Sequence, residues 1–169
     1  MHNRPVKSWQ DGSIQKPKWW DASKTNLIYL IDEPYVRNLV LNYSLDSVVD
    51  KCEFVLNTPR YKPEFVCDLC GAGNARKGRR PACFFPTEVG YIYKCLACVQ
   101  SLTLYQYLLQ RNSHVAAQYQ FERWRKKLTG SCYNCPEPPK NIKREYYQKK
   151  ERELKERNKR NYVERMSTD

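Results

Sequence analysis

Apolar residues along this chain come in short groups, and their spacing changes from one segment to the next. Leu27 to Ile31 form an apolar run that suits a buried strand or a first helical turn. Tyr35, Val36, Leu39, Val40 and Tyr43 then follow a one-sided helical spacing. With Pro34 in its first turn, this predicts a helix over 33–43 and a second, shorter helix from Ser44. Phe54 to Leu56 and Glu64 to Val66 read as strands around a turn at Asn57, Thr58 and Pro59. "ACFF" and "YIYK", at 82–85 and 91–94, read as a second strand pair joined by a turn from Pro86 to Gly90.

The spacing returns to helical in "SLTLYQYLLQ", with Ser101 as the expected N-cap. A further helix is expected from near Asn112 to a stop at Gly130, with Ala117, Phe121 and Trp124 on one face. Arg123, Arg125, Lys126 and Lys127 crowd its last turn, where cations complement the helix dipole. Pro136, Pro138 and Pro139 mark a linker. The remainder is helix-prone and charged, with too few apolar residues to bury a face by itself.

The expected class is therefore α+β: a small antiparallel ribbon flanked by helices. An extended aromatic and basic arm over 1–26, bearing Trp19 and Trp20, leads into a domain over 27–130. A Cys/Pro linker over 131–139 joins that domain to a basic helix or tail over 140–169.

Charge sharpens this division. The net charge is +12, of which residues 1–66 contribute +1, residues 67–139 contribute +6 and residues 140–169 contribute +5. Positive charge concentrated in this way points to a polyanionic partner, most commonly nucleic acid. No apolar run approaches the roughly 20 residues of a membrane-spanning helix, and "MHNRPVKSWQ" lacks the apolar core of a secretory signal. The expected setting is intracellular and reducing, where paired cysteines favour a metal over disulfides.

Cys67, Cys70, Cys95 and Cys98 form two C-x₂-C pairs separated by 24 residues. Each pair sets two thiolates on a tight knuckle, and two knuckles complete the tetrahedron that structural zinc prefers. Gly71 follows the first knuckle and Val99 the second. With four thiolates, no coordination position is left for a catalytic water. A third pair, Cys132 and Cys135, could join Cys52 and Cys83 in a second metal site, with His114 and His2 as other candidate ligands. Cys83 and Cys52 fall where no knuckle is expected, so two free thiols in a linker are the preferred reading.

The segment between the main pairs carries Arg76, Lys77, Arg79 and Arg80 in a loop with Gly73 and Gly78. Beside it lie Phe84, Phe85, Tyr91 and Tyr93. Cations for phosphates next to rings for bases are the elements of single-strand recognition. One strand face must pack on the helices, so about half of these rings are expected in the core.

Taken together, a strand running into C-x₂-C-G, the basic "ARKGRR", the aromatic "CFF", the spacing of the pairs and a Leu- and Tyr-rich helix resemble a known domain. It is the zinc-binding domain of DNA primases from T-even-type bacteriophages, and the resemblance covers roughly residues 54–127. It implies zinc at the four cysteines and nucleic-acid binding; the expected partners are single-stranded DNA or RNA and a replication or transcription protein. In such primases a separate TOPRIM domain carries the acidic metal ligands for synthesis. Residues 67–139 contain only Asp68, Glu88, Glu122 and Glu137 as acids, so polymerase activity is not expected. The expected protein is a non-enzymatic nucleic-acid-binding module. The alternatives are an adaptor docking on a polymerase or other machine and a structural component of a virion or large assembly.

Overall fold

The computed structural model describes residues 22–42, 48–70, 73, 78–98 and 101–168. Among these residues it has four α-helices and one five-stranded antiparallel sheet. The chain divides into two compact units, residues 1–137 and 138–169. None of the described helices is long and apolar enough to cross a membrane.

The first unit opens with helix α1, Ala22–Asn42. It replaces both the strand-like reading of Leu27 to Ile31 and the last five residues of the expected extended arm. Pro34 lies inside this helix instead of starting it. Burial explains the outcome: Ile28, Tyr29, Ile31, Val36 and Leu39 all enter the core, which requires one continuous face. Trp19 and Trp20 lie outside the described residues.

Strands β1, Val49–Val55, and β2, Thr58–Phe65, form a hairpin. The helix expected from Ser44 is corrected here, since Val49–Val55 is extended and residues 44–47 lie outside the described residues. Leu56 and Asn57 make the turn, both with positive φ (48° and 61°). That combination suits a two-residue hairpin whose twist matches its strands. The turn thus falls one residue earlier than expected, and Pro59 pairs opposite Phe54 within the hairpin.

Strand β3, Ala82–Thr87, sits between β2 and β4, Gly90–Cys95. Because β3 is antiparallel to both neighbours, β2 and β4 run the same way and deliver their ends to the same edge of the sheet. Strand β5, Ser101–Thr103, pairs with β4 at the far side. Ser101 is therefore in the sheet, and Thr103 caps helix α2, Leu104–Arg111. Its hydroxyl accepts from the Gln106 amide at 3.1 Å, while the Gln106 side chain accepts from the Thr103 amide at 3.0 Å. This reciprocal box satisfies two otherwise unpaired donors.

Helix α3, Ser113–Arg125, starts as expected, with Asn112 accepting from the amides of His114 and Val115. It ends at Arg125, well before Gly130, and the chain turns through Lys127 at φ 59°. Its buried face is Ala116, Tyr119, Gln120 and Arg123. Ala117 is exposed, while Phe121 and Trp124 are half-buried, so the expected apolar face was misplaced. The reason lies in Arg123, which is 1% exposed and forms an ion pair with Asp32 of α1 at 3.0 Å. A face carrying a paired, buried arginine is invisible to apolar periodicity.

That pair organises the junction of α1, α3 and the β3–β4 turn. Arg123 also donates to the backbone carbonyls of Val89, Leu128 and Tyr133. From α1, Thr25 donates to the Glu88 carbonyl and Tyr29 to the Thr87 carbonyl. The segment expected as a linker is built into this unit as far as Glu137. Gly130 bridges to Cys135, and both Tyr133 and Cys135 are buried.

The second unit contains helix α4, Lys140–Ser167, of 28 residues, none of them buried.

Candidate metal centre

The site lies where β2 and β4 reach their common edge. Cys67 follows β2 by two residues, and Cys95 is the last residue of β4. Each strand passes directly into a C-x₂-C turn. The Cys70 amide points at Cys67 Sγ (3.4 Å) and the Cys98 amide at Cys95 Sγ (3.5 Å). Amides directed at sulfur stabilise thiolate in both knuckles.

The ligand atoms of Cys67, Cys70, Cys95 and Cys98 all lie within 4.8 Å of one another. Cys67 Sγ is 3.9 Å from Cys98 Sγ, and Cys70 Sγ is 3.8 Å from Cys95 Sγ. A tetrahedral metal–thiolate centre with bonds of about 2.3 Å requires edges of roughly 3.8 Å. The four sulfurs therefore form a possible metal site in size as well as in donor type. Cys67 and Cys95 are buried, Cys98 is half-buried and Cys70 is exposed.

Behind it lies a polar network that the sequence reading did not identify. The Tyr93 hydroxyl is 2.8 Å from Cys67 Sγ and 3.0 Å from Asp68 Oδ1. Asp68 sits inside the first knuckle. Its other oxygen accepts from the Tyr107 hydroxyl at 2.6 Å, and its carboxylate pairs with Arg111. The Tyr107 and Tyr93 rings stack with centroids 4.9 Å apart. Helix α2 is thereby tied to the cysteine cluster. The available signal was Tyr107 and Arg111 at i, i+4 on a helix whose approach to Asp68 only the fold reveals.

This network changes the thiols unequally. Burial raises the Cys67 pKa, but its hydrogen bonds with the Tyr93 hydroxyl and with the Cys70 and Leu69 amides more than offset it, leaving the thiol lowered to about 7. Burial pushes Cys95 up to about 12. Burial likewise raises Cys83 to about 11 and Cys135 to about 12. Among the described residues, the four-cysteine group is the one cluster of three or more His, Cys, Asp or Glu side chains with ligating geometry. Cys132, Cys135, Cys52, Cys83 and His114 form no such cluster, and His2 lies outside the described residues.

The expected nucleic-acid contacts separate into three groups. Arg76 and Lys77 lie outside the described residues, as do Gly71 and Val99. Phe84, Tyr91 and Tyr93 are withdrawn as base-stacking rings, because they are 0%, 3% and 0% exposed. Phe84 packs on Phe65, Tyr93 and Tyr107. Tyr91 packs on Tyr29 and donates to the Tyr61 carbonyl. Phe85, on the opposite strand face, is half-buried and lies beneath the ammonium groups of Lys94 (4.5 Å) and Lys62 (5.3 Å).

Arg79 and Arg80 lie beside the second knuckle. With Gly73, Pro81 and Ala97 they line a shallow depression. Gly73 comes close to the Arg79 backbone: at φ 118°, its missing Cβ would stand 2.7 Å from the Arg79 carbonyl oxygen. No family model, curated protein or solved structure matches this chain.

Replacing Tyr93 with phenylalanine keeps the ring and removes the hydroxyl beside Cys67. Metal affinity should fall by about 10- to 100-fold, the usual effect of losing an outer partner of a ligand, with helix content unchanged. Competition against a chromophoric chelator measures this. An affinity within about twofold of wild type would limit Tyr93 to packing.

Proposed function

We propose that the first unit is a zinc ribbon that binds single-stranded nucleic acid beside its second knuckle. The observation that carries this reading is the depression lined by Arg79 and Arg80, set against the knuckle residue Ala97. The knuckles fix the backbone there, so the two cations are held in a defined place for phosphates. Zinc is the metal best suited to four thiolates at these separations, and its role is structural because the thiolates fill the coordination sphere. Phe85, unlike the buried Phe84, Tyr91 and Tyr93, is half-buried, and Lys62 and Lys94 lie over its ring as further cations for phosphates.

The earlier resemblance supports the same reading: a module like the zinc domain of phage primases, working in DNA replication without catalysing synthesis. A protein-docking adaptor is the second reading. It is favoured by Leu96, which stands 84% exposed at the tip of the second knuckle, and by the exposed Leu69 at the first.

The test combines metal content with a salt titration on single-stranded oligonucleotides. The isolated protein should hold one zinc and bind a single strand, with affinity falling as salt rises. Changing Arg79 and Arg80 to alanine should reduce the log–log slope by roughly 0.7 per lost phosphate contact. Failure of the wild type to bind at low salt would remove this reading and leave the adaptor.

A further inference from the structure

Helix α4 buries none of its residues, and its own side chains supply local support for its helicity. The sequence supplies Glu-to-cation pairs at i, i+4: Glu145 with Lys149, Glu151 with Lys155, Glu153 with Arg157 and Glu156 with Arg160. In this order such pairs also agree with the helix dipole, and each stabilises an isolated helix by about 0.2–0.5 kcal/mol. The Glu151–Lys155 pair is formed at 3.0 Å. At about 1.5 Å per residue, the helix is a rod about 42 Å long.

Its charges are not evenly distributed. Placed at about 100° per residue, Glu145, Glu153, Glu156 and Glu164 fall within a stripe about 100° wide. Lys149 and Arg160 lie in the same stripe and neutralise part of it. The other nine of its eleven cations, from Lys140 and Arg144 to Lys159 and Arg165, occupy an arc of about 220°. Only Glu151 interrupts that arc. Exposed Tyr147 and Tyr162 stand among the cations.

We infer that α4 is a duplex-DNA-binding helix that lies in the major groove, with its acidic stripe facing solvent. The inference extends the nucleic-acid reading above and rests on it for the class of partner. An arc broader than half the circumference suits an anionic channel with two walls better than a flat surface. The B-form major groove is about 12 Å wide and lined on both sides by phosphates, and it matches a helix about 10–12 Å across. A-form RNA has a narrow major groove that excludes such a rod.

The experiment uses two variants of the full chain that lose the same charge and keep good helix formers. Arg152→Gln/Lys159→Gln removes two cations from the arc, and Lys149→Gln/Arg160→Gln removes two from the acidic stripe. Fluorescence anisotropy over a salt series follows binding to a DNA duplex, its single strand and an RNA duplex, with circular dichroism as the check on helix content. The arc variant should bind the DNA duplex several-fold more weakly and lower its salt slope by about 1.8, two contacts at about 0.9 each. The stripe variant should shift it by less than half of that, and the RNA duplex should bind more weakly than the DNA duplex. Equal effects of the two variants would mean that only net charge matters and would overturn the inference. Binding to the single strand without binding to the DNA duplex would overturn it too, while leaving the ribbon reading intact. If the arc variant loses duplex binding but Arg79→Ala/Arg80→Ala leaves single-strand binding unchanged, the ribbon reading fails and the α4 assignment stands.

Discussion

Changing Cys70 to serine should release the metal and collapse the edge of the sheet, even though Cys70 is exposed and contributes little packing. The same change at Cys67 should do at least as much, because it also alters a buried side chain in contact with Tyr93. The magnitude follows from the coupling of metal binding to folding. A structural tetrathiolate contributes apparent binding free energies of about 10–16 kcal/mol, whereas whole domains are stable by about 5–15 kcal/mol. Comparing the two positions separates the roles: Cys70→Ser reports the metal, and Cys67→Ser reports the metal plus core packing. A third variant, Cys132→Ser/Cys135→Ser, should keep the metal, since neither residue joins the cluster. Metal stoichiometry and thermal melts with and without chelator decide the matter. A Cys70→Ser protein that melts like wild type and ignores chelator would remove the metal centre.

The candidate site was legible because its signal is local. A C-x₂-C pair fixes two ligands by spacing alone, and two pairs at strand ends need only an antiparallel third strand between them to meet. The sequence pattern supplied that strand in "ACFF" and its partner in "YIYK", and the structure places them as β3 and β4. Of the expected basic segment, Arg79 and Arg80 lie beside the second knuckle, and Arg76 and Lys77 lie outside the described residues.

The errors share a different cause. Alternation identified Tyr91 and Tyr93 as neighbours on one face, but it could not decide whether that face meets solvent or helices. Stacking rings and core rings have the same composition, and α1 and α2 made them core. On α3 apolar periodicity points to Ala117, Phe121 and Trp124, but the buried face is led by Arg123, whose partner Asp32 is 91 residues away. On α1 the local cost of a proline argues for a helix start at Pro34 and against an interior position. Burial of residues on both sides of Pro34 outweighs that cost. Local patterns thus located the elements, while long-range pairing determined which of their faces became interior.

The strongest test of that long-range pairing is Gly90→Ala. Gly90 starts β4 at φ 115°, a conformation that residues with a Cβ rarely adopt. An added Cβ would stand 2.2 Å from Asp32 Oδ2, 3.0 Å from Arg123 Nη1 and 3.1 Å from Ile28 Cγ2. None of these atoms can retreat cheaply. Ile28 is fully buried, and Asp32 Oδ2 also accepts from the Tyr91 amide at 3.2 Å. Arg123 is held by Asp32 and by the carbonyls of three residues. Accommodating the methyl group therefore means separating a buried ion pair, which costs about 3–5 kcal/mol when a partner is lost. The melting temperature of the metal-loaded protein should fall by roughly 10 °C or more, with loss of the contact between α1 and the β3–β4 turn. Gly78→Ala is the control. Gly78 also has positive φ, 69°, but its Cβ would meet none of the described residues within 4 Å. Its cost should be the backbone term alone, about 1–2 kcal/mol. Equal melting temperatures for the two variants would show that the clash with Asp32 and Arg123 is relieved by movement of the turn, and the ion pair would lose its place as the joint between α1 and α3.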